Sequence, residues 1–362
     1  MIKTSAVICE LNPAHEGHKY VFEHAKEQGG AVVAVMSGNF VQRGENAIYD
    51  KYKRAEAALD IGADLVLELP FPWSCSSAQY FATASVYIAE SIGAHRLFFG
   101  SECGDPAALS RAAEITSGEE FNRALPADVR AAEHREKMLR AIAPDLPEGL
   151  LSSANDILGI EYIKNLKNAV PVPVKRISAE SASFLRENMA ENKEKYPDAV
   201  YFERLAELEF LRLRCEADPV FDTAEASGGV GERLYKAAFS AKNGREMFEI
   251  ASTKQYTNAR LKRAALYHMM DVKKYDIEAL PRFSAVLAFN VTGQKLLANL
   301  RKKSRIPLVT KPSSVKYLPI DAARQAQKSL FADSIYALLE GKSSDRFIKA
   351  SPIVISTGPK KS

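Results

Sequence analysis

The chain has 362 residues, 46% of them apolar, and a formal net charge of +4, enough for two or three domains including an α/β core. With charge of both signs spread along it, composition alone does not argue for a nucleic-acid partner, and only clustered cations would. Four scattered cysteines (Cys9, Cys75, Cys103, Cys215), no apolar run near the ~20 residues of a membrane span, and no signal-peptide layout lead us to expect a reduced, cytosolic chain with no membrane contact.

The first apolar run, Ala6–Leu11, reads as a buried strand, and Asn12-Pro13 breaks it because proline cannot join a ladder. A helix over Gly17–Gln28 follows, ended by Gly29-Gly30. Ala31–Met36 is a second buried strand with the loop Ser37–Gly44 at its end. Tyr52–Ile61 reads as a helix, Asp64–Leu69 as a strand stopped by Pro70, Ala78–Ile92 as a helix, and Arg96–Phe99 as a strand running into Gly100. Short apolar strands alternating with helices predict an α/β fold with a doubly wound parallel sheet. Ligands of such sheets bind beyond the carboxyl ends of the strands. The polar or glycine-rich stretches Asn12–His18, Ser37–Gly44, Pro70–Gln79 and Gly100–Glu102 all fall there, which predicts a single site.

Pro106–Arg140 is expected as helices laid over the sheet, Asp156–Leu166 as a helix, and Pro171–Ile177 as the last strand. From about Met189 strand signals vanish, and Ala199–Glu216, Gly231–Ala241, Asn243–Thr253 and Asn258–Met270 read as a helical bundle. A small α/β unit closes the chain: strand Ala285–Phe289, helix Gly293–Lys302, parallel strand Ile306–Thr310, helix Asp321–Leu339, and a loose tail over Ser351–Ser362. The expected domains are therefore residues 1–188, 189–284 and 285–362.

Chemistry concentrates at the first turn. His15 and His18 lie three apart at a helix mouth, where backbone N–H groups and the macrodipole favour an anion, and Gly17 admits a bulky ligand to the backbone. The same two histidines would also serve as surface caps, and a zinc site lacks further ligands nearby in sequence. Arg43 suits a phosphate or carboxylate, or else is a solvated loop arginine. Asp50, Lys51, Lys53 and Arg54 read as a solvated helix face, with Arg54 able to turn towards the cleft. Asn155 is either a helix cap or aimed at a base or ribose. Lys175-Arg176 feeding the hydroxyl-rich Ser181-Ala182-Ser183 again suits phosphate. Lys254, Arg260, Lys262 and Arg263 interleave with Tyr256 and Tyr267, a pattern suited to RNA. Arg301, Lys302, Lys303 and Arg305 form the densest positive cluster.

The blocks CELNPAHEGH (Cys9–His18), MSGNFVQRG (Met36–Gly44), GADLVLELP (Gly62–Pro70) and FFGSECGD (Phe99–Asp105) resemble those of the bacterial tRNA(Met) cytidine acetate ligases, a branch of the HxGH nucleotidyltransferases. NDILGIEYIK (Asn155–Lys164), VKRISAESASFLR (Val174–Arg186), STKQYTNARLKR (Ser252–Arg263) and RKKSRIPLVTKP (Arg301–Pro312) continue the resemblance in order. It implies an HxGH-type Rossmann catalytic domain, then a helical domain and a small C-terminal unit. It implies ATP seated on Val7, Ile8, Cys9, Glu10, Leu11, Asn12, Pro13, Ala14, His15, Glu16, Gly17, His18, Lys19 and Tyr20, closed over by Gly100, Asn155, Arg176 and Ile177. The implied catalytic residues are His15, His18 and Arg43, with Arg43 holding acetate and Mg²⁺ carried on the nucleotide rather than by a protein metal site. The implied reaction joins acetate, through acetyl-adenylate, to N4 of the wobble cytidine of elongator tRNA(Met). Lys254, Arg260, Arg263, Arg301, Lys302 and Lys303 are the expected tRNA contacts, and no protein partner is expected. The chain departs from the family in Ala14, in Glu16, and in a shortened loop before Ser181.

Overall fold

The computed structural model describes residues 3–119, 121, 131–177, 180–217, 219, 221–253 and 256–355. In chain order the first half holds β1 (Thr4–Cys9), α1 (Glu16–Glu27), β2 (Ala31–Ser37), β3 (Phe40–Val41), β4 (Glu45–Asn46), α2 (Lys51–Asp60), β5 (Leu65–Leu69), α3 (Ala78–Ser91) and β6 (Arg96–Ser101). It continues with α4 (Pro106–Ser117), α5 (Ala131–Ile142), α6 (Ala154–Asn165), β7 (Val170–Lys175) and α7 (Ala182–Glu191). Then come α8 (Phe202–Arg214), α9 (Val230–Ser240), α10 (Gly244–Ala251), α11 (Asn258–Met269) and α12 (Lys274–Glu278). The last elements are β8 (Ser284–Asn290), α13 (Val291–Lys303), β9 (Leu308–Val309), α14 (Ile320–Leu339) and β10 (Ile353–Ile355).

The main sheet runs β10-β8-β5-β2-β1-β6-β7, with β9 pairing the start of β8. Strands β5, β2, β1, β6 and β7 are mutually parallel, as the alternation of strands and helices predicts. Both faces are covered, so the strands are apolar throughout and side chains divide by parity. Ala6, Ile8, Val33, Val35, Leu65 and Leu67 pack under α3, α4, α6 and α13. Val7, Cys9, Val32, Ala34, Met36 and Val66 pack on the opposite face, under α1 and α2.

Two expectations change at the C-terminus. The strand expected to open a separate unit, β8, extends the main sheet antiparallel to β5. Its direction follows from where the chain re-enters: the Ser284 hydroxyl donates to the Glu68 carbonyl at 2.7 Å, so β8 starts at the carboxyl end of β5 and must run back. Residues 353–355, expected within a loose tail, form β10 beside β8. Residues 356–362 of that tail lie outside the described residues. The helical part is also continuous with the sheet, since Phe40, Phe71 and Cys75 share one core with Leu205, Tyr267 and Tyr336.

Of the helix face expected to be solvated, Lys53 is exposed, whereas Asp50, Lys51 and Arg54 are buried and Lys51 and Arg54 form a polar clamp. Arg54 is 2% exposed. Its guanidinium donates to the carbonyls of Glu10 at 2.6 Å, Ser37 at 3.0 Å, Tyr49 at 2.9 Å, and Gly38. It ties the end of β1 to the end of β2 and does not line the cleft described below. Lys51 is equally buried between Glu68 (2.9 Å) and Asp333 (2.6 Å), which anchors α14 to the sheet. Among the described residues no helix is long and apolar enough to cross a membrane.

Candidate active site

β1 delivers the chain to the carboxyl edge of the sheet, where Leu11 turns with φ 51 and is fully buried. The Asn12 side-chain oxygen accepts from the Ile48 N–H at 2.8 Å, and its carbonyl accepts from the Arg186 guanidinium at 2.5 Å. His15, in extended backbone, is the N-cap of α1, and its Nδ1 accepts the Gly17 N–H at 3.0 Å. That bond leaves the proton of a neutral ring on Nε2. His18 lies alongside with ring centroids 3.9 Å apart. A Cβ at residue 17 would stand 2.9 Å from His15 Cε1, so glycine is what lets the ring sit there.

The capping alters one sequence expectation. The Gly17 and His18 N–H groups are already bonded to His15, so the ring donors and the helix dipole, more than free backbone N–H groups, face an anion. His18 Nδ1 is buried without a hydrogen-bond partner. A lone pair is cheaper to leave there than an N–H, which puts this proton on Nε2 as well. Burial, with His15 and Arg176 adding repulsion, pushes the His18 pKa down to about 3, and burial with Arg176 lowers that of His15. At neutral pH both rings are therefore uncharged hydrogen-bond donors.

The opposite wall comes from β6, α6 and β7. Glu102 accepts from the Asn155 amide at 2.8 Å and from the Arg176 guanidinium at 3.0 Å. Asp156 holds the loop between them by accepting from the Ser101 hydroxyl and the Cys103 N–H. Ser153 is the N-cap of α6, so Asn155 sits inside the first turn and does not cap it. Phe99, Leu158, Tyr162 and Val174 supply an apolar floor. Flat rings and aliphatic groups beside placed amides and a guanidinium suit a nucleoside.

Together these elements enclose a cleft of about 340 Å³. Of the expected residues, Val7, Ile8, Cys9, Glu10, Asn12, His15, Gly17, His18, Tyr20, Arg43, Gly100, Asn155, Arg176 and Ile177 line it. Leu11, Pro13, Ala14, Glu16 and Lys19 do not. The stretch Pro70–Gln79 also stays away, because Trp73 is buried and donates to the Ala279 carbonyl at 2.9 Å, seating the helical part. Lys175, Ser181 and Ser183, read from the sequence as suited to phosphate, and Gln42 of the Ser37–Gly44 loop line the cleft too, and the structure adds Arg186. Ser181 caps α7, and Arg186, one turn on, donates to the Ser183 hydroxyl at 3.2 Å and to Asn12. The hydroxyl-rich helix start signalled this wall in the sequence, whereas Arg186 needed the fold.

Arg43 is exposed on the cleft wall. Glu10 is the one carboxylate lining the cleft among the described residues. It accepts the Gln42 N–H at 2.7 Å, and desolvation raises its pKa. No cluster of three or more His, Cys, Asp or Glu suited to a metal ion exists among the described residues. With Glu10 as its one carboxylate, the cleft has no all-protein cage for a divalent ion among the described residues. Of the basic residues expected to face RNA, Lys254 lies outside the described residues. Arg260 spends its guanidinium on the Glu225 carbonyl at 3.1 Å and on Ser227, and Arg263 turns inward. Arg301, Lys302 and Lys303 are exposed at the end of α13 and do not line the cleft.

A largely parallel sheet whose first turn presents paired imidazoles across from a cationic wall with an apolar floor suits a phosphate-bearing nucleotide. Consistently, the model of the HIGH Nucleotidyl Transferase family matches residues 2–192 and 182–350. The chain is 33% identical to the tRNA(Met) cytidine acetate ligase of Thermoanaerobacter pseudethanolicus, over 93% of this chain and 96% of that one. It is equally 33% identical to that of Acetivibrio thermocellus, over 93% and 95%. A crystal structure of Thermotoga maritima TmcAL bound with alpha-thio ATP superposes with a TM-score of 0.90 at 28% identity, covering 98% of this chain and all (100%) of that one. The chain belongs to the tRNA(Met) cytidine acetate ligase family.

Proposed function

We propose that this chain uses ATP to activate acetate and acetylates N4 of the wobble cytidine of elongator tRNA(Met). An acetate oxygen attacks the α-phosphorus and pyrophosphate leaves, giving acetyl-adenylate. The cytidine N4 then attacks the acyl carbon, AMP departs, the amine proton is lost, and N4-acetylcytidine remains. Negative charge builds around phosphorus in the first step. The neutral Nε2–H donors of His15 and His18 would meet that charge without prior desolvation of an ion, and one such donor is typically worth ~3–4 kcal/mol.

Asn155 and Arg176, held by Glu102, would orient the nucleoside and phosphates, while Lys175 and Arg186 add positive charge. Arg43 would hold acetate by a two-point contact with its carboxylate. Even the best small ligands gain only about 1.5 kcal/mol per heavy atom, so acetate is selected by pocket shape more than by affinity. The exposed cations Arg301, Lys302 and Lys303 are the remaining candidates for tRNA phosphates.

The observation that carries this reading is the facing His15–His18 pair in a cleft ringed by cations, in a chain of this family. The test incubates purified protein with ATP, labelled acetate and total bacterial tRNA, then digests the RNA to nucleosides. Label recovered as N4-acetylcytidine from tRNA(Met) is expected. No label in N4-acetylcytidine, or ATP and tRNA binding with no pyrophosphate release, would contradict it.

A further inference from the structure

Helix α11 meets the cleft through the loop between β3 and β4, and one side chain makes that contact specific. The Arg263 side chain is only 12% exposed. Its guanidinium donates to the Gln42 carbonyl at 3.2 Å and to Glu225 at 3.1 Å, so it bridges the cleft loop to the helical part. The Gln42 N–H is gripped from the opposite side by Glu10 at the end of β1, at 2.7 Å. The carbonyl that Arg263 holds belongs to the peptide bond joining Gln42 to Arg43. Fixing that peptide plane places the Arg43 Cα, and the Gly44 N–H, bonded to the Val41 carbonyl at 2.9 Å, restrains the next plane, so together they direct the Arg43 side chain from the backbone.

Two neighbours reinforce the seat. Gly44 has φ +73, and a Cβ there would stand 2.4 Å from the Arg263 backbone nitrogen, so the loop lies directly on the helix. Beside it Lys262 pairs with Glu45 at 2.6 Å. Sequence pattern placed Arg263 in an RNA-facing patch; its geometry is that of an internal strut.

We propose that Arg263 is a positioning residue for the carboxylate substrate, acting through the Gln42–Arg43 peptide on the orientation of Arg43. This rests on the reading that Arg43 holds acetate. The His15–His18 turn and the Asn155–Arg176 wall stand on other elements, so ATP binding should be spared. Arg263→Ala should raise the KM for acetate about tenfold in tRNA-free ATP–pyrophosphate exchange, the typical effect of losing a charge-assisted hydrogen bond, with the KM for ATP and the Kd for tRNA within about twofold. Arg263→Lys should be intermediate, because an ammonium can serve Gln42 or Glu225 but not both in the fork geometry.

Amide hydrogen exchange of the ATP-free chain supplies a readout independent of the substrate. Protection over residues 42–45 should fall in Arg263→Ala while α1 is unchanged. If the loop loosens but no carboxylate supports exchange in the wild type, the functional reading fails and the strut stands. Unchanged loop protection would overturn the strut. So would unchanged acetate kinetics with weakened tRNA binding, which would make Arg263 an RNA contact. An equal fall of every constant and of Tm in both variants would reduce it to general support of the fold.

Discussion

His18 is held neutral by the fold, which makes its environment measurable by pH. In an unfolded chain an imidazole binds a proton below about pH 6.5, whereas the native ring does so only near 3. Between those values the unfolded state carries the extra proton, so acidification through this window lowers stability. One such site contributes about 1.4 kcal/mol per pH unit, or about 3 kcal/mol by pH 4, and somewhat less because the ring edge meets cleft water. His18→Gln has nothing to titrate. Urea unfolding of both proteins at a series of pH values should show the stability of wild type relative to variant falling by about 2–3 kcal/mol from pH 7 to pH 4. Parallel stability profiles would refute the argument that burial and its cationic neighbours keep this ring uncharged.

Gly17→Ala should cut ATP–pyrophosphate exchange by about 10²-fold with little loss of folding, because the new Cβ displaces His15 from its capping position, and displacements near 1 Å carry that penalty. Arg54→Lys should cost about 3–5 kcal/mol, read as a lower urea midpoint, since one ammonium cannot serve four carbonyls, three at the ends of β1 and β2 and the fourth at Tyr49. Lys51→Met should destabilise by about 3–5 kcal/mol at neutral pH by leaving Glu68 and Asp333 buried without their cation. Burial already holds the Glu68 carboxyl up at about 7 and raises that of Asp333. Without Lys51 the native carboxyls keep protons that the wild-type protein releases as pH rises through about 7, so this penalty should grow between pH 7 and pH 8 in the same unfolding assay.

The α/β half was legible because parallel strands buried on both faces leave unbroken apolar runs, and because the HxGH turn is local in sequence. The direction of β8 was not, since an apolar strand reads alike whichever way it runs. Only the return of the chain beside Glu68 decides it. Charged residues misled most. Lys51 and Arg54 carry the composition of a solvated helix face, and their partners, Asp333 and the carbonyls of Glu10 and Gly38, are distant in the chain or on the backbone. Arg260 and Arg263 misled for the same reason, since their acceptors are mainly backbone carbonyls brought near by folding. Within the cleft, most residues that touch its space were marked by local motifs, and Arg186 was the exception that needed the fold. Glu102, which holds two of them, was marked by nothing beyond its place after Gly100.

Two neutral imidazoles meeting the charge that grows at the α-phosphorus are the centre of the proposed chemistry. Exchange of labelled pyrophosphate into ATP, with and without acetate, in wild type, His15→Ala and His18→Ala, measures this most directly. The expected result is exchange that requires acetate and falls by about 10²–10³-fold in either variant, with a smaller change in ATP binding. Exchange at the wild-type rate in His18→Ala, or exchange indifferent to acetate, would contradict it.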